Sequence, residues 1–161
     1  MKTTMNNNSI KKIIVPHDGS EMSDRALNRA IEFAKAFKSE IIILHIMDDR
    51  LIPSESILTF ITEKSTIEDA KLQILNLLRI GTEQLLKDRT EKVKKNGISV
   101  RFIMGMGTPA EGIADVAKNE NVDLIIMGSR ESEKKNDKLK ILGSVARRVL
   151  EISDCPIMVI K

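Results

Sequence analysis

A chain of 161 residues with 42% hydrophobic and 30% charged residues is long enough for one domain with a sizeable core and has an ordinary soluble globular composition. Aromatics are only 2%, with no Trp and no Tyr. The core is therefore aliphatic with Met as filler, and the stacking platforms used for single-stranded nucleic acid are excluded. The net charge of +3, from 26 basic and 23 acidic residues, leaves no strong polyanion-binding stripe, so no nucleic-acid partner is expected.

No run approaches the roughly 20 apolar residues that span a bilayer, so no membrane partner is expected. Met1 to Ser9 is polar and Asn-rich without an apolar stretch, which is not a secretory signal. A disordered tail over residues 1–10, a domain over 11–161 and a cytoplasmic location are the expectations.

Lys12 to Val15 is a β-branched run, read as a buried first strand. Pro16-His17-Asp18-Gly19-Ser20 breaks it, and Ser20 is placed to cap a helix on which Ala26, Leu27, Ala30, Ile31, Ala34 and Phe37 recur at helical spacing. Glu40 to Ile46 is a second, continuous apolar strand of the kind covered on both faces in parallel sheets. Met47 to Ser65, with Pro53 inside it, reads as an irregular excursion. Ile67, Ile74, Leu78, Leu85 and Val93 trace the stripe of a long helix closed near Asn96-Gly97. Ser99 to Met104 is a third strand and Gly105 to Pro109 a turn, with Pro109 in the first turn of a helix carrying Ile113, Val116 and Ala117. Val122 to Met127 is the fourth strand. Ile141, Val145, Val149 and Ile152 mark the last helix, and Pro156 to Ile160 is the fifth strand.

This alternation predicts an α/β fold: an open sheet of parallel strands with right-handed helical crossovers. Ligands of such sheets bind at the carboxyl ends of strands, where strand order reverses. The turns after strands one, two and four meet there, and they carry Asp18, the Ile46-Met47-Asp48 segment and Gly128.

The run Leu124 to Met127, then Gly128-Ser129-Arg130, and later Gly143-Ser144 before an amphipathic stretch is a strand, a glycine turn and a loop closing on a helix start. Free backbone N–H groups and the helix dipole converge at such a place and suit a phosphate. The bland alternative is a plain turn and a helix cap. Asp18 either accepts hydrogen bonds from an adenine amino group or a ribose hydroxyl, or only caps the helix after it. The chain has neither a G-x-x-x-x-G-K-[ST] loop nor a G-x-G-x-x-G fingerprint, and Gly105-Met106-Gly107 reads as a tight turn. Lys134, Lys135, Lys138 and Lys140 either neutralise a triphosphate or line a solvated loop. Asp48 and Asp49 either help hold a metal on a nucleotide or begin a loop. His45 reads as a satisfied core residue, His17 lies beside the proposed pocket, and Cys155 is a small buried hydrophobe. One cysteine and two scattered histidines make no zinc site, and Ser20 and Ser23 have no evident base, so no hydrolytic triad is expected.

Together these residues resemble the universal stress protein family over nearly the whole chain, Lys11 to Lys161. Lys12 to Ser20 resembles its opening strand and Asp-Gly-Ser turn. Ile42 to Ile46 resembles its second strand, and Gly107-Thr108-Pro109 its Gly-x-Pro turn. Asp123 to Arg130 and Leu142 to Val145 look like its two phosphate-loop halves, and Cys155 to Ile160 its last strand. The resemblance implies a Rossmann-like five-stranded sheet in order 3-2-1-4-5 and a homodimer joined through the last strand, Pro156 to Ile160. It implies ATP or AMP, with or without Mg, as the ligand of a stress-response regulator that is at most a slow ATP hydrolase. Asp18 and Ile46 would lie at adenine, Pro16 and Gly128 near the ribose, and Ser129, Arg130, Gly143, Ser144 and Val145 along the phosphates, with Met127 also among the binding residues. The family's Gly-x-x-Gly loop has Glu131 at its second glycine here, and the interval to Gly143 is two residues longer than the pattern. That departure supports an alternative: a non-nucleotide interaction protein that contacts an unknown protein partner through its dimer and modified loop.

Overall fold

The computed structural model describes residues 9–54, 57, 64–129 and 142–161. Along the chain run β1 (Lys12–Pro16), α1 (Glu21–Phe37), β2 (Glu40–Asp48), a 3-10 turn (Asp49–Leu51), α2 (Lys64–Lys94), β3 (Val100–Gly107), α3 (Pro109–Asn119), β4 (Leu124–Gly128), α4 (Ser144–Ile152) and β5 (Ile157–Ile160). The strands pair in parallel as one five-stranded sheet of order β3-β2-β1-β4-β5.

The β-branched runs of β1, β2 and β4 take the centre of this sheet because both their faces are covered. Ile13, Val15, Ile41, Ile43 and Ile126 face one core with Ala26, Leu27 and Ala30 of α1 and Leu86 and Val93 of α2. Ile14, Ile42, Leu44, Ile125 and Met127 face the other, with Ile113 and Ala117 of α3 and Ala146 and Val149 of α4. The chain leaves β1 through α1 toward β2, while β4 arrives on its other flank from α3. The carboxyl end of the β1–β4 gap is thus the point where strand order reverses, and an open sheet has its crevice there.

Two boundaries differ from the sequence reading. β2 runs on to Asp48 and β3 to Gly107, paired Ile46↔Gly105, Met47↔Met106 and Asp48↔Gly107. The supposed turn at 105–107 is therefore strand. Gly105 serves close packing there, since a Cβ on it would lie 2.8 Å from Ile46 Cδ1, and one on Gly112 of α3 would lie 2.9 Å from the same atom. The Met47–Ser65 excursion accordingly starts as strand and 3-10 turn and ends inside α2; residues 55–56 and 58–63 lie outside the described residues.

The α2 stripe is also only partly inside. Ile67 and Val93 are buried and Ile74 and Leu85 half-buried, with Leu86, beside the stripe, fully buried, but Leu78 is 41% exposed, with Leu72, Leu77 and Ile80 exposed beside it. A helix of 31 residues is about 46 Å long, whereas the nine residues of β2 span about 30 Å. Its middle has no sheet left to cover. Residues 1–8 of the expected tail lie outside the described residues, while Ile10 packs against the first core and its carbonyl accepts the Ser39 hydroxyl at 2.6 Å. No helix among the described residues is long and apolar enough to cross a membrane.

Candidate functional site

The β1–α1 turn is built by its own side chains. Gly19 has φ +87, which favours glycine. The Asp18 carboxylate accepts the Ser20 N–H at 3.0 Å, and the Ser20 hydroxyl accepts the Ser23 N–H at 3.2 Å, capping α1. Burial pushes the Asp18 carboxyl up, but hydrogen bonding at the turn, with the Ser20 N–H donating to the carboxylate, outweighs it. The group is held below the usual carboxylate value and is ionised at neutral pH. Asp18 therefore does cap its turn, and as an exposed residue it keeps further lone pairs for a ligand.

Ile46 contributes main chain. His17 N–H donates to Leu44 O at 2.8 Å, while Ile41 N–H donates to Ser99 O at 2.9 Å, so even-numbered residues of β2 turn their peptide groups toward β1 and odd ones toward β3. Ile46 lies two residues past Leu44, which pairs with the last residue of β1, Pro16. Its N–H and C=O consequently point into the crevice beyond the end of β1, while its side chain packs on Gly105 and Gly112.

Across the crevice, β4 ends at Gly128 above Met127, which is buried in the second core. The sequence reading left open whether Gly128 admits a ligand or merely turns the chain. The structure gives a different reason: a Cβ there would meet Met22 O at 2.6 Å and Met22 C at 2.7 Å. The missing side chain admits the first turn of α1. Ser129 N–H is committed to Ile160 O at 2.8 Å, joining the β4 end to β5. Gly143 is the N-cap of α4 and brings no side-chain cap, and the first turn of α4, opened by exposed Ser144 and half-buried Val145, has no acidic residue. Its unsatisfied N–H groups and positive dipole end are suited to an anion. Arg130, Glu131, the four lysines at 134, 135, 138 and 140, and Ile141 lie outside the described residues.

One cluster was missed from sequence. Ser23, read as lacking a base, has its Oγ 3.3 Å from His17 Nδ1, and His17 Nε2 is 3.2 Å from Asp24 Oδ1. The series resembles a hydrolytic triad in composition only. Ser23 is buried, and its hydroxyl donates to Ser20 O at 2.7 Å, so it is a helix-cap group and no nucleophile. Arg89 of α2 grips Asp24 through Nε and Nη2, both at 2.9 Å. Burial lowers the basicity of His17 against the raising pull of Asp24. Burial also raises Asp24, but its bonds to Arg89 and His17 prevail and hold it below the ordinary value. Asp24 and Arg89 stand 65 residues apart, and no local pattern pairs them.

His45 is half-buried, and its Nδ1–H donates to His17 O at 2.8 Å. Asp48 accepts the Arg50 N–H and guanidinium, ending β2 with a local cap. Cys155 is half-buried, its thiol donating to Val122 O at 3.2 Å, and burial pushes that thiol up, away from the reactive thiolate. Among the described residues no group of three or more His, Cys, Asp or Glu side chains is placed to hold a metal ion.

Comparison with known proteins gives a consistent result. The family model described as the universal stress protein family matches residues 9–161. The chain is 34% identical over 155 residues to universal stress protein MJ0577 of Methanocaldococcus jannaschii, covering 94% of each chain. It is 31% identical over 150 residues to universal stress protein YxiE of Bacillus subtilis, covering 93% of this chain and 98% of that one. The solved structure of MJ0577 superposes with a TM-score of 0.77 over 95% of this chain and 96% of that one. A universal stress protein of Archaeoglobus fulgidus in complex with dAMP, 21% identical, has the same fold at a TM-score of 0.62, with 95% and 99% covered.

Proposed function

The chain belongs to the universal stress protein family, and on that premise we propose that it is a cytoplasmic, homodimeric stress-response regulator that binds an adenine nucleotide, ATP or AMP, at the carboxyl ends of β1, β2 and β4. The observation that carries this reading is a pair of complementary donor sets on one edge of the sheet. On one flank stand an ionised carboxylate, Asp18, and the outward main-chain N–H and C=O of Ile46. An adenine edge offers an amino donor and ring-nitrogen acceptors, which match them. On the other flank, Gly143, Ser144 and Val145 open a helix that no side chain caps. Phosphate oxygens match that.

Relatives of the same fold have been crystallised with cAMP and with dAMP, both adenine nucleotides. Pro16, Met127 and Gly128 then border the ribose by their main chain, and Ser129 flanks the phosphates, with Arg130, outside the described residues, expected beside it from sequence. Any Mg travels on the phosphates. Binding biases the protein between two surface states that a partner distinguishes.

Calorimetric titration with MgATP and with AMP tests the reading. Asp18→Asn keeps the Oδ1 that accepts the Ser20 N–H but loses the charge. It is expected to weaken binding about tenfold or more, the worth of a hydrogen bond to an ionised group, with little change in melting temperature. Absence of heat with both nucleotides overturns the proposal. Glu131 at the family's second glycine and the interval to Gly143, two residues longer than the pattern, favour the second reading, a non-nucleotide interaction protein. Adenine nucleotide released from purified, undigested protein would count against that reading.

A further inference from the structure

The sequence around Asp18 contains a feature that ligand contact does not explain. The residue before it, His17, is 2% exposed and its ring is wholly enclosed. A buried polar ring at the end of a strand is costly unless its nitrogens are satisfied. Both are. Gly19 N–H donates to Nδ1 at 3.2 Å, and Nε2–H donates to Asp24 at 3.2 Å. The peptide of His17 is held as well, its N–H on Leu44 O at 2.8 Å and its carbonyl on His45 Nδ1–H at 2.8 Å.

Asp18 therefore hangs between one residue pinned by side chain and main chain and another, Gly19, whose φ of +87 belongs to no helix or strand. The bond from Gly19 N–H to the imidazole holds that glycine in place. It requires Nδ1 to carry a lone pair and so fixes the neutral Nε2–H form.

We propose that His17 is a positioning residue for the ligand-facing carboxylate of Asp18, acting through the Gly19 N–H, and that Arg89 on α2 keeps it in the working state by neutralising Asp24. The proposal rests on the adenine-nucleotide reading of the site. The neutral ring accepts from Gly19. A proton added at Nδ1 sets the imidazolium against the Gly19 N–H and turns that ring N–H to the Ser23 Oγ, 3.3 Å away, so the turn that presents Asp18 loses its tie. Ligand affinity then falls as the ring is protonated.

The charged and titratable groups facing the ring, among the described residues, are Asp18 from the turn, Asp24 from α1 and Arg89 from α2, while His45 from β2 holds the His17 carbonyl. The two carboxylates favour the proton, while burial and Arg89 oppose it. Removing the Arg89 charge leaves Asp24 unopposed, so the ring takes its proton at higher pH.

The test is MgATP affinity by calorimetry from pH 5.5 to 8.0, with melting temperatures as a fold control, for wild type, His17→Asn and Arg89→Met. Phosphate titration is common to all three proteins, so the differences between profiles carry the result. In His17→Asn the amide oxygen replaces Nδ1 as acceptor and does not titrate. Its affinity at pH 8.0 is expected to stay within about threefold of wild type, on the scale of one modest hydrogen-bond change. Its acid fall-off is expected to be shallower than wild type's. Arg89→Met, whose site is a partly exposed ion pair, is expected to move the fall-off to higher pH.

Parallel profiles in wild type and His17→Asn overturn the proposal, since a surviving fall-off does not then belong to His17. An unshifted profile in Arg89→Met overturns the part assigned to α2 and decides the matter if His17→Asn does not fold. Wild type that binds no nucleotide at pH 8.0 overturns the adenine reading itself, a result distinct from either.

Discussion

His17 and the carboxylates around it link the stability of the fold to pH in the same direction, over different pH windows. Burial holds the folded imidazole below its ordinary value of 6.5, so the unfolded chain binds the extra proton more readily. The stability this contributes is fully present above pH 6.5 and is lost as pH falls from there through the folded value. Asp18 and Asp24, both held below 3.8, add stability that is present above that pH and is lost only in stronger acid. Urea midpoints measured between pH 5 and 8 are expected to fall below pH 6.5 in wild type and to stay nearly flat in His17→Asn. Asp18 and the Gly128, Gly143 and Ser144 positions were legible from sequence because a strand, a glycine and a helix start follow each other locally. Asp24 and Arg89 were not, because an ion pair between two helices distant in sequence leaves no periodic trace. The reason for Gly128 was likewise hidden, since it depends on Met22, a residue far away along the chain.

Elements were readable where a strand was covered on both faces. The aliphatic runs Ile13-Ile14-Val15, Ile41 to Leu44 and Leu124 to Met127 announce β1, β2 and β4 through composition alone. The outer ends of β2 and β3 were not readable, because Asp48, Gly105 and Gly107 are residue types common in turns and are held in the ladder by register. The long helix α2 follows its periodicity only at its ends. Leu86→Ala, at a fully buried site, is expected to cost about 2–5 kcal/mol. Leu77→Ala, 71% exposed on the same helix, is expected to lie within about 0.5 kcal/mol of wild type. Denaturant unfolding of the two variants distinguishes the halves of the helix. Gly128→Ala is expected to destabilise by about 1–3 kcal/mol, because a methyl group must displace the main chain of α1. Loss of nucleotide binding in that variant reports on the α1–β4 crossing before it reports on any ligand contact.

At the scale of the whole molecule the two edges of the sheet differ. β3 carries Arg101, ion-paired to Glu40 and Glu120, and ends at Gly107 with φ +136. Charge and a bent end are common protections against edge pairing. β5, Ile157–Ile160, has neither. Its even-numbered positions face β4, as Pro156 O and Ile160 O accept from Ile125 and Ser129. Ile157 and Val159 therefore turn their N–H groups to the open edge, which fits the proposed dimer. Val159→Pro removes one outward donor and leaves the β4 ladder untouched. It is expected to shift the mass measured by light scattering from twice the monomer toward the monomer, with the fold retained in circular dichroism. A wild-type mass equal to the monomer would rule out the dimer.

The crossing at Gly128 also decides which jaw of the crevice has freedom. Main chain of α1 rests where a side chain would otherwise stand, the His17 peptide holds the same turn to β2, and its imidazole ties it through Asp24 to the guanidinium of Arg89. That jaw is an anvil. The opposite one begins at a helix with no side-chain latch on its first amides, so under the proposed reading a guest's charged tail would take the place of that latch, while its base would meet the anvil.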